Sequence, residues 1–464
     1  MPLHVTLVNP PSPGGSTGHW SIALLGLGYL AAVLEKDGYE VDVIDCQALN
    51  ISFETVKNEL QKRQPDVVGL TATTVTYNSA LRVIRDAKEV CPNCLTVIGG
   101  VHVTFWDEEA LEECPQLDVV VRKEGEFTLL ELVQRLEAGK GFDGVLGITY
   151  RKDGKIVKNA DRPYIEDLDS LPFPARHLWP LDQIRKIEDI FYLTTSRGCV
   201  FWCEFCSAVR MFGRRFRMRS VKNVVDELEY LHKTYGATVF TFCDDAFTVD
   251  QARAEEICEE IQRRKLEIKW NCGTRVDMLT KELLLKMKDA GCLSVWAGVE
   301  SGVQELLDAM GKGIRLEQTI KVFGWLRELG LQPAPNVILG FPGETKKTAW
   351  KTIKFVEKIS PDYLTYYNIA TPFPGTPMYD MVIEKGWLRV TDFDKYDTAT
   401  PVFETPMLSM KDLVEIRKQA FHHFYLRPSY IFRMFSKGPM YGFSAIQTAI
   451  EHLVKSIKVK LRNL

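Results

Sequence analysis

Short runs of Val, Ile and Leu alternate with helical stretches along this chain, and they do so in two successive series. In the first, residues 1 to about 145, the runs are HVTLVNPP, EVDVIDC, PDVVGLTATT, LTVIGG and LDVVVRKEGE. Between them SIALLGLGYLAAVLEKDG, SFETVKNELQKRQ, a segment from Ser79 and another from near Trp106 carry the helical pattern. A strand that is apolar on both faces must be covered on both, and parallel strands connected through helices meet that demand. Residues 1–145 are therefore predicted to be a doubly wound α/β domain on a parallel sheet, with a ligand at the carboxyl ends of its strands. The loops at those ends, NPPSPGGSTG, TATTVTY, IGGVH and KEGE, are rich in Gly, Ser and Thr, which lets a large ligand approach the backbone closely. Neither G-x-G-x-x-G nor a P-loop is among them, which argues against a dinucleotide or a nucleoside triphosphate.

Residues 146–190 read as a connector. GITYRKDGKIVKN predicts a hairpin turning at Asp153-Gly154, and the Pro-rich DRPYIEDLDSLPFPARHLWP predicts extended chain. The second series starts at Phe191 with FYLTTSRG, TVFTFCDDAF, EIKWNCGTR, CLSVWAGVES, APNVILGFPG and YLTYYNIATPFPGTP. Six strand–helix units over 191–395 predict a partial (β/α)6 barrel working at its strand carboxyl ends, where polar and Gly-rich residues gather. Residues 396–464 are predicted to be mostly helical. Their last stretch, EHLVKSIKVKLRNL, is basic and amphipathic: a solvated helix, with a peripheral membrane contact as the second reading.

A net charge of -3 gives no reason to expect a nucleic-acid partner. No apolar run is long enough to span a bilayer, and MPLHVTLVNPP lacks the basic flank of a signal peptide, so it reads as a first strand. Eleven cysteines in such a chain point to reduced thiols in the cytoplasm.

Three of those cysteines fall together in CVFWCEFC: Cys199, Cys203 and Cys206, just after the first strand of the second series. Structural zinc closes with four ligands, and no fourth Cys or His follows until Cys243. Disulfides would need an even number and an oxidising compartment. A 4Fe–4S cluster held by three thiolates leaves one iron open to a non-protein ligand, and C-x3-C-x2-C on a short loop lets three sulfurs reach one cubane.

The motif and its place resemble the radical S-adenosylmethionine superfamily, with Phe205 as the aromatic residue before the third cysteine. The resemblance implies that S-adenosylmethionine chelates the open iron and is cleaved on reduction to a 5′-deoxyadenosyl radical that abstracts hydrogen from substrate. It also implies an external electron donor such as flavodoxin or ferredoxin. By the same resemblance, Asp244 and Asp245 suit the methionine amino group, one of them doubling as a helix cap. Arg275 suits the methionine carboxylate, Glu300 and Ser301 the ribose hydroxyls, and Gly340 in VILGFPGET a close approach to adenine.

A doubly wound domain ahead of such a barrel resembles the cobalamin-dependent branch. The similarity is to the group containing the anaerobic magnesium-protoporphyrin monomethyl ester cyclases and radical enzymes of hopanoid and archaeal lipids, and it covers roughly residues 1–430. It implies corrin contacts at Asn9, Thr71, Thr73, Gly99, Gly100, Glu124 and Glu126. D-x-H-x-x-G is absent, so a lower-ligand histidine is not expected; a degenerate domain without cobalamin is the other reading. The implied activity is methylation, carbon–carbon bond formation or cyclisation at an unactivated carbon of a hydrophobic substrate. Trp202, Trp296, Phe341, Tyr366, Tyr367 and Phe373 stand near the expected mouth, although aromatics also fill cores. A non-catalytic iron–sulfur or cobalamin sensor or scaffold is the alternative, and no catalytic side chain is assigned. Cys91 and Cys94 in CPNC read as structural thiols, and Cys243, Cys272 and Cys292 as core. Of Arg210, Arg214, Arg215, Arg217 and Arg219, one or two are expected inside, the rest on a solvated edge, with an anionic substrate contact as the sharper possibility.

Overall fold

The computed structural model describes residues 2–13, 23–361, 365–425 and 427–437. Its first sheet contains β1 (His4–Asn9), β2 (Glu40–Asp45), β3 (Val67–Thr71), β4 (Leu95–Gly99), β5 (Val119–Val121), β6 (Ile148–Lys152) and β7 (Lys155–Lys158), in the order β2-β1-β3-β4-β5-β6-β7. The first five are parallel, as the continuous apolar runs require, and the order reverses between β1 and β3. Helices cover both faces, and Val5, Leu7, Val67 and Val97 on one side and Val8, Val68 and Ile98 on the other are buried.

The predicted hairpin forms with its turn at Asp153 (φ 49°) and Gly154 (φ 75°), but it does not stay in the connector. It extends the first sheet as an antiparallel edge, pairing Val119 with Tyr150 and Val121 with Ile148. The reason is in its pattern: Ile148 and Tyr150 are buried against the sheet, while Lys155 and Lys158 at the ends of β7 blunt the exposed edge. The Pro-rich stretch also departs from expectation. It is interrupted by 3-10 turns over Leu168–Ser170 and Arg176–Leu178 and by a helix over Leu181–Ile187. Asp167 nucleates the first turn by accepting from the Asp169 amide at 3.0 Å. The connector lies against the helix Ala23–Lys36, where a Cβ on Gly28 would stand 2.8 Å from Trp179 and 2.9 Å from Pro174.

The second sheet has six parallel strands in chain order: β8 (Phe191–Leu193), then β11 (Val239–Phe242), β12 (Lys269–Thr274), β13 (Cys292–Glu300), β14 (Gln332–Leu339) and β15 (Tyr366–Ile369). Between β8 and β11 a two-stranded ribbon pairs β9 (Ser196–Arg197) with β10 (Arg217–Met218). This is a half-barrel, wrapped by helices on its outer face. The helix Gln251–Arg263 illustrates the coding: Asp250 caps it from Arg253 N at 3.0 Å, and Ala254, Ile257, Cys258 and Ile261 recur at helical spacing on its buried side. Trp270, fully buried among Phe242 and Phe247, anchors the core. Burial of a large apolar side chain of this kind is worth about 1.5–3 kcal/mol. Helices Met410–Tyr425 and Pro428–Lys437 share a core with β14 and β15, the first through Leu413, Ile416, Ala420 and Phe424 and the second through Tyr430 and Met434. The basic tail 451–464, with its membrane reading, and residues 14–18 of the first loop lie outside the described residues.

Candidate functional site

The carboxyl ends of the two sheets enclose one cavity of about 290 Å³. Leu7, Gly69, Thr71, Gly99 and Gly100 form its wall on the first sheet, together with Gly125 and Glu126 at the start of the helix Glu126–Glu137. Thr194, Ser196, Arg197, Cys243 and Asp245 face them from the half-barrel, with Met211 and Phe212 beside them. The glycines keep this wall thin. A Cβ on Gly69 would meet Leu7 Cδ2 at 2.8 Å, and one on Gly100, whose φ is 106°, would meet the Ala72 carbonyl at 2.6 Å. Thr71, Gly99, Gly100, Glu124 and Glu126 thus stand together. Thr73 and Asn9 do not join them. Thr73 closes a local turn with Thr76, and Asn9 braces the ends of β1 and β2 by donating to Asp45 at 2.8 Å and accepting from Gln47 at 3.1 Å. Cys243, expected in the core, lines the cavity instead, because it falls one residue past the end of β11.

The carboxylates of Glu124 and Glu126 are engaged across the domain junction. Glu124 accepts from Arg197 at 2.8 Å, from Arg217 at 2.8 and 2.9 Å and from the Ile165 amide at 2.9 Å; Glu126 accepts from Arg197 at 2.6 Å. All four side chains are nearly buried. Of the arginine run, Arg217 and Arg219 are therefore inside, Arg219 held by fully buried Glu227, while Arg210 and Arg215 pair at the surface with Asp380 and Glu166. The inner arginines face carboxylates of the chain itself.

Arg197 leads directly into the cysteine loop. Gly198, with φ 92°, has no room for a Cβ, which would lie 2.3 Å from the Arg215 carbonyl. Its amide donates to Asp245 at 3.0 Å. Glu204 N donates to Met310 O at 3.0 Å, and Cys206 N to Cys203 O at 3.1 Å. Cys199 and Cys203 are half-buried and Cys206 exposed. Burial raises the Cys199 and Cys203 thiols, so a bound metal would be what holds them as thiolates. Among the described residues no three Cys, His, Asp or Glu side chains converge on a point as ligands of a single ion would. Three thiolates without a fourth are the donor set of a cubane with one open iron. Phe205 packs partly buried beside Met310 and Phe341.

Around this loop the strand ends of the half-barrel are heavily paired. Asp244 accepts from the Thr195 and Ser196 amides at 2.6 and 3.1 Å and from the Thr195 hydroxyl, tying β11 to the end of β8. Asp245, raised to about 6 by burial and by neighbouring Asp244, faces the cavity. Neither caps the following helix; Asp250 does. Glu300, at φ 58°, pairs with buried Lys312 at 2.7 Å. Ser301 is fully buried against Thr352 and Val303, turned inward. Gly340 donates to Glu344, a buried carboxyl pushed up to about 8 by burial, whose other oxygen has no partner. Arg275 grips Asp277 through two bonds of 2.9 Å, donates to the Lys312 carbonyl at 2.5 Å and points Nη1 at the Cys203 sulfur, 3.8 Å away.

Sequence reasoning missed Lys312, Asp277, Glu344 and Arg197. Only Lys312 lay outside the motifs already singled out: Glu344 falls inside VILGFPGET, Arg197 inside TTSRG and Asp277 at the end of GTRVD around Arg275. The aromatics expected at the mouth do not line the cavity: Phe341 and Tyr367 are core, and Trp202 and Tyr366 are about half exposed, at 49% and 46%. Among the described residues no histidine lines it either. His102 of IGGVH is buried between Tyr77 and Phe393, and burial lowers it to about 3, so its ring is neutral. Cys91 and Cys94 are buried and unpaired, Cys91 donating to the Leu60 carbonyl.

The B12 binding domain family matches residues 22–133, and the radical SAM superfamily matches residues 193–356. The chain is 36% identical to an uncharacterized methyltransferase of Pyrococcus horikoshii, covering 93% of this chain and 94% of that protein. It is 32% identical to the anaerobic magnesium-protoporphyrin IX monomethyl ester cyclase of Rubrivivax gelatinosus, over 94% and 80% of the two chains. In fold it is similar to the radical S-adenosylmethionine methyltransferase TsrM of Kitasatospora setae, with a TM-score of 0.74 and 19% identity over 92% of this chain and 90% of that one.

Proposed function

This chain belongs to the radical S-adenosylmethionine superfamily, in the branch with a B12 binding domain ahead of the barrel, and on that premise we propose that it functionalises an unactivated carbon of a hydrophobic small molecule, a lipid or a tetrapyrrole. The reaction is methylation, carbon–carbon bond formation or cyclisation. When bound, the 4Fe–4S cluster, S-adenosylmethionine and cobalamin supply reductive formation of the hydrogen-abstracting radical and the methyl or electron carrier. The observation that carries the reading is the cavity shared by the carboxyl ends of both sheets. A radical able to attack almost any C–H bond must form in a dry site beside one chosen carbon, and the two domains supply facing walls for such a site.

Residues 1–145, extended by the hairpin 148–158, hold the corrinoid; the rest of 146–190 connects; 191–395 form the barrel and 396–464 the C-terminal region. Thr71, Gly99 and Gly100 provide the thin wall against which a large flat ligand lies. Cys199, Cys203 and Cys206 ligate the cluster, with Phe205 packed behind them. Asp245, lining the cavity, takes the methionine ammonium, while Asp244 fixes the strand ends; the open side of Gly340 is filled by Leu413, 2.6 Å from where a Cβ would stand, which argues against adenine there. A small external electron carrier, a flavodoxin or ferredoxin, reduces the cluster. Eleven unpaired cysteines support a reducing, cytoplasmic setting, and among the described residues no helix is long and apolar enough to cross a membrane.

Anaerobic reconstitution tests this. The protein should hold about four irons per chain, take up hydroxocobalamin and release 5′-deoxyadenosine from S-adenosylmethionine. Cys199→Ala, Cys203→Ala and Cys206→Ala should each abolish that release. Undiminished release from the Cys203→Ala protein would refute the cluster assignment.

A further inference from the structure

We infer that Arg275 is a positioning residue for the iron–sulfur centre, donating a hydrogen bond to the Cys203 sulfur and raising the reduction potential of the cluster, rather than a reader of the methionine carboxylate. The inference rests on the cluster reading above. A guanidinium recognises a carboxylate through two parallel N–H donors on one edge of its fork. Arg275 has neither edge free. Its Nε and Nη2 close on Asp277, each at 2.9 Å, which takes the first edge. The second edge is divided: Nη2 donates to the Lys312 carbonyl at 2.5 Å and Nη1 to Cys203 Sγ at 3.8 Å, at the long end for a bond to sulfur. The flat face lies 3.6 Å from the centroid of the Phe201 ring. Phe201 belongs to the cysteine loop itself, between Cys199 and Cys203. The group is 5% exposed. It is thus locked from three sides, by β12's own continuation at Asp277, by the 312 loop and by the cysteine loop.

The consequence is electrostatic. A cation-borne N–H aimed at a cluster thiolate stabilises the extra negative charge that reduction adds, and hydrogen bonds to the sulfurs are among the determinants of cluster potential. Lys312 also acts on Cys203 as a nearby charge, its ammonium paired with Glu300 at 2.7 Å, but the hydrogen bond to the sulfur comes from Arg275. Asp277 holds the fork in register without touching sulfur, so it acts one step behind Arg275.

The experiment is a potentiometric titration followed by electron paramagnetic resonance, on reconstituted protein without S-adenosylmethionine, with iron content measured in parallel. In Arg275→Gln the ratio of reduced to oxidised cluster at a fixed potential should fall about tenfold, which for one electron is about 59 mV. Arg275→Lys, which keeps the charge but loses the fork, should fall between the two. Asp277→Asn should shift the midpoint the same way by less, and it carries the test if Arg275→Gln does not assemble. An unchanged midpoint in whichever of these variants retains about four irons overturns the inference. So does a variant whose only change is weaker S-adenosylmethionine binding, which would return Arg275 to the carboxylate. Absence of any cluster from the unaltered protein would sink the cluster reading and this inference with it, and the iron content separates that case from the others.

Discussion

Replacing Glu124 should loosen both cofactor sites at once. Its carboxylate sits 8% exposed at the domain junction and accepts four hydrogen bonds, from Arg197, twice from Arg217 and from the Ile165 amide. Glu124→Ala leaves Arg217 as a buried cation whose Nε and Nη2 already lack partners. Breaking one side of a buried pair in this way costs about 3–5 kcal/mol. Glu124→Gln keeps the shape and one acceptor but loses the charge, at about 1.5–3 kcal/mol, the range for bonds to charged groups. The assay is urea unfolding of both variants beside the parent, with iron content and hydroxocobalamin uptake measured on the same preparations. Because the network is nearly dry, its contribution should change little between 0.1 and 1 M salt, whereas an exposed pair would be screened over that range. Both ligand loads should drop, since Arg197 is the residue before Gly198 and the cysteine loop. A cost below about 1 kcal/mol, the value of a surface pair, with iron and corrinoid uptake intact, would refute the view that these charges join the domains.

Two further outcomes are expected. Gly100→Ala should lower corrinoid uptake while iron loading is retained, because its φ of 106° and the Ala72 carbonyl 2.6 Å from a new Cβ force the thin cavity wall to move; absorbance after anaerobic loading reads this. Glu344, held protonated up to about 8 by burial against an ordinary value of 4.5, binds its proton more tightly folded than unfolded, so stability is full below the unfolded value and falls as pH rises toward 8. Unfolding free energies from urea titrations should decline between pH 5 and 8, by at most about 5 kcal/mol from this group, and Glu344→Gln should flatten the decline.

Much of this arrangement could be read in advance, and what could not has one physical cause. The alternation of β-branched runs with helical stretches dictates parallel sheets, since no other connection buries both strand faces. Three thiols after the first barrel strand restrict the chemistry further, because the number of ligands and the loop length are local properties. Side-chain partners are not local. Glu124 meets Arg197 73 residues later, and Arg275 finds Cys203 72 residues earlier, so the sequence could mark each as a strand-end residue but not as already engaged. The hairpin likewise showed its turn but not the edge strand it would find, which depends on where β5 leaves the sheet uncovered.

The same distance in sequence explains why strand-end residues in this chain carry two kinds of duty. Ligands gather where strands end because backbone groups and loops are free there. When two such sheets face each other, those ends are also where the domains touch, so charged side chains at 124, 126, 197 and 217 hold the halves together, and residues 124, 126 and 197 line the cavity as well. Glu126 grips Arg197, Gly198 follows with its amide on Asp245, and Cys199 comes next. That continuous path means the first sheet cannot shift relative to the half-barrel without dragging the first cysteine. Domain docking and the geometry of the cysteine loop are therefore one structural event, and the cavity wall at Gly99 and Gly100 moves with both.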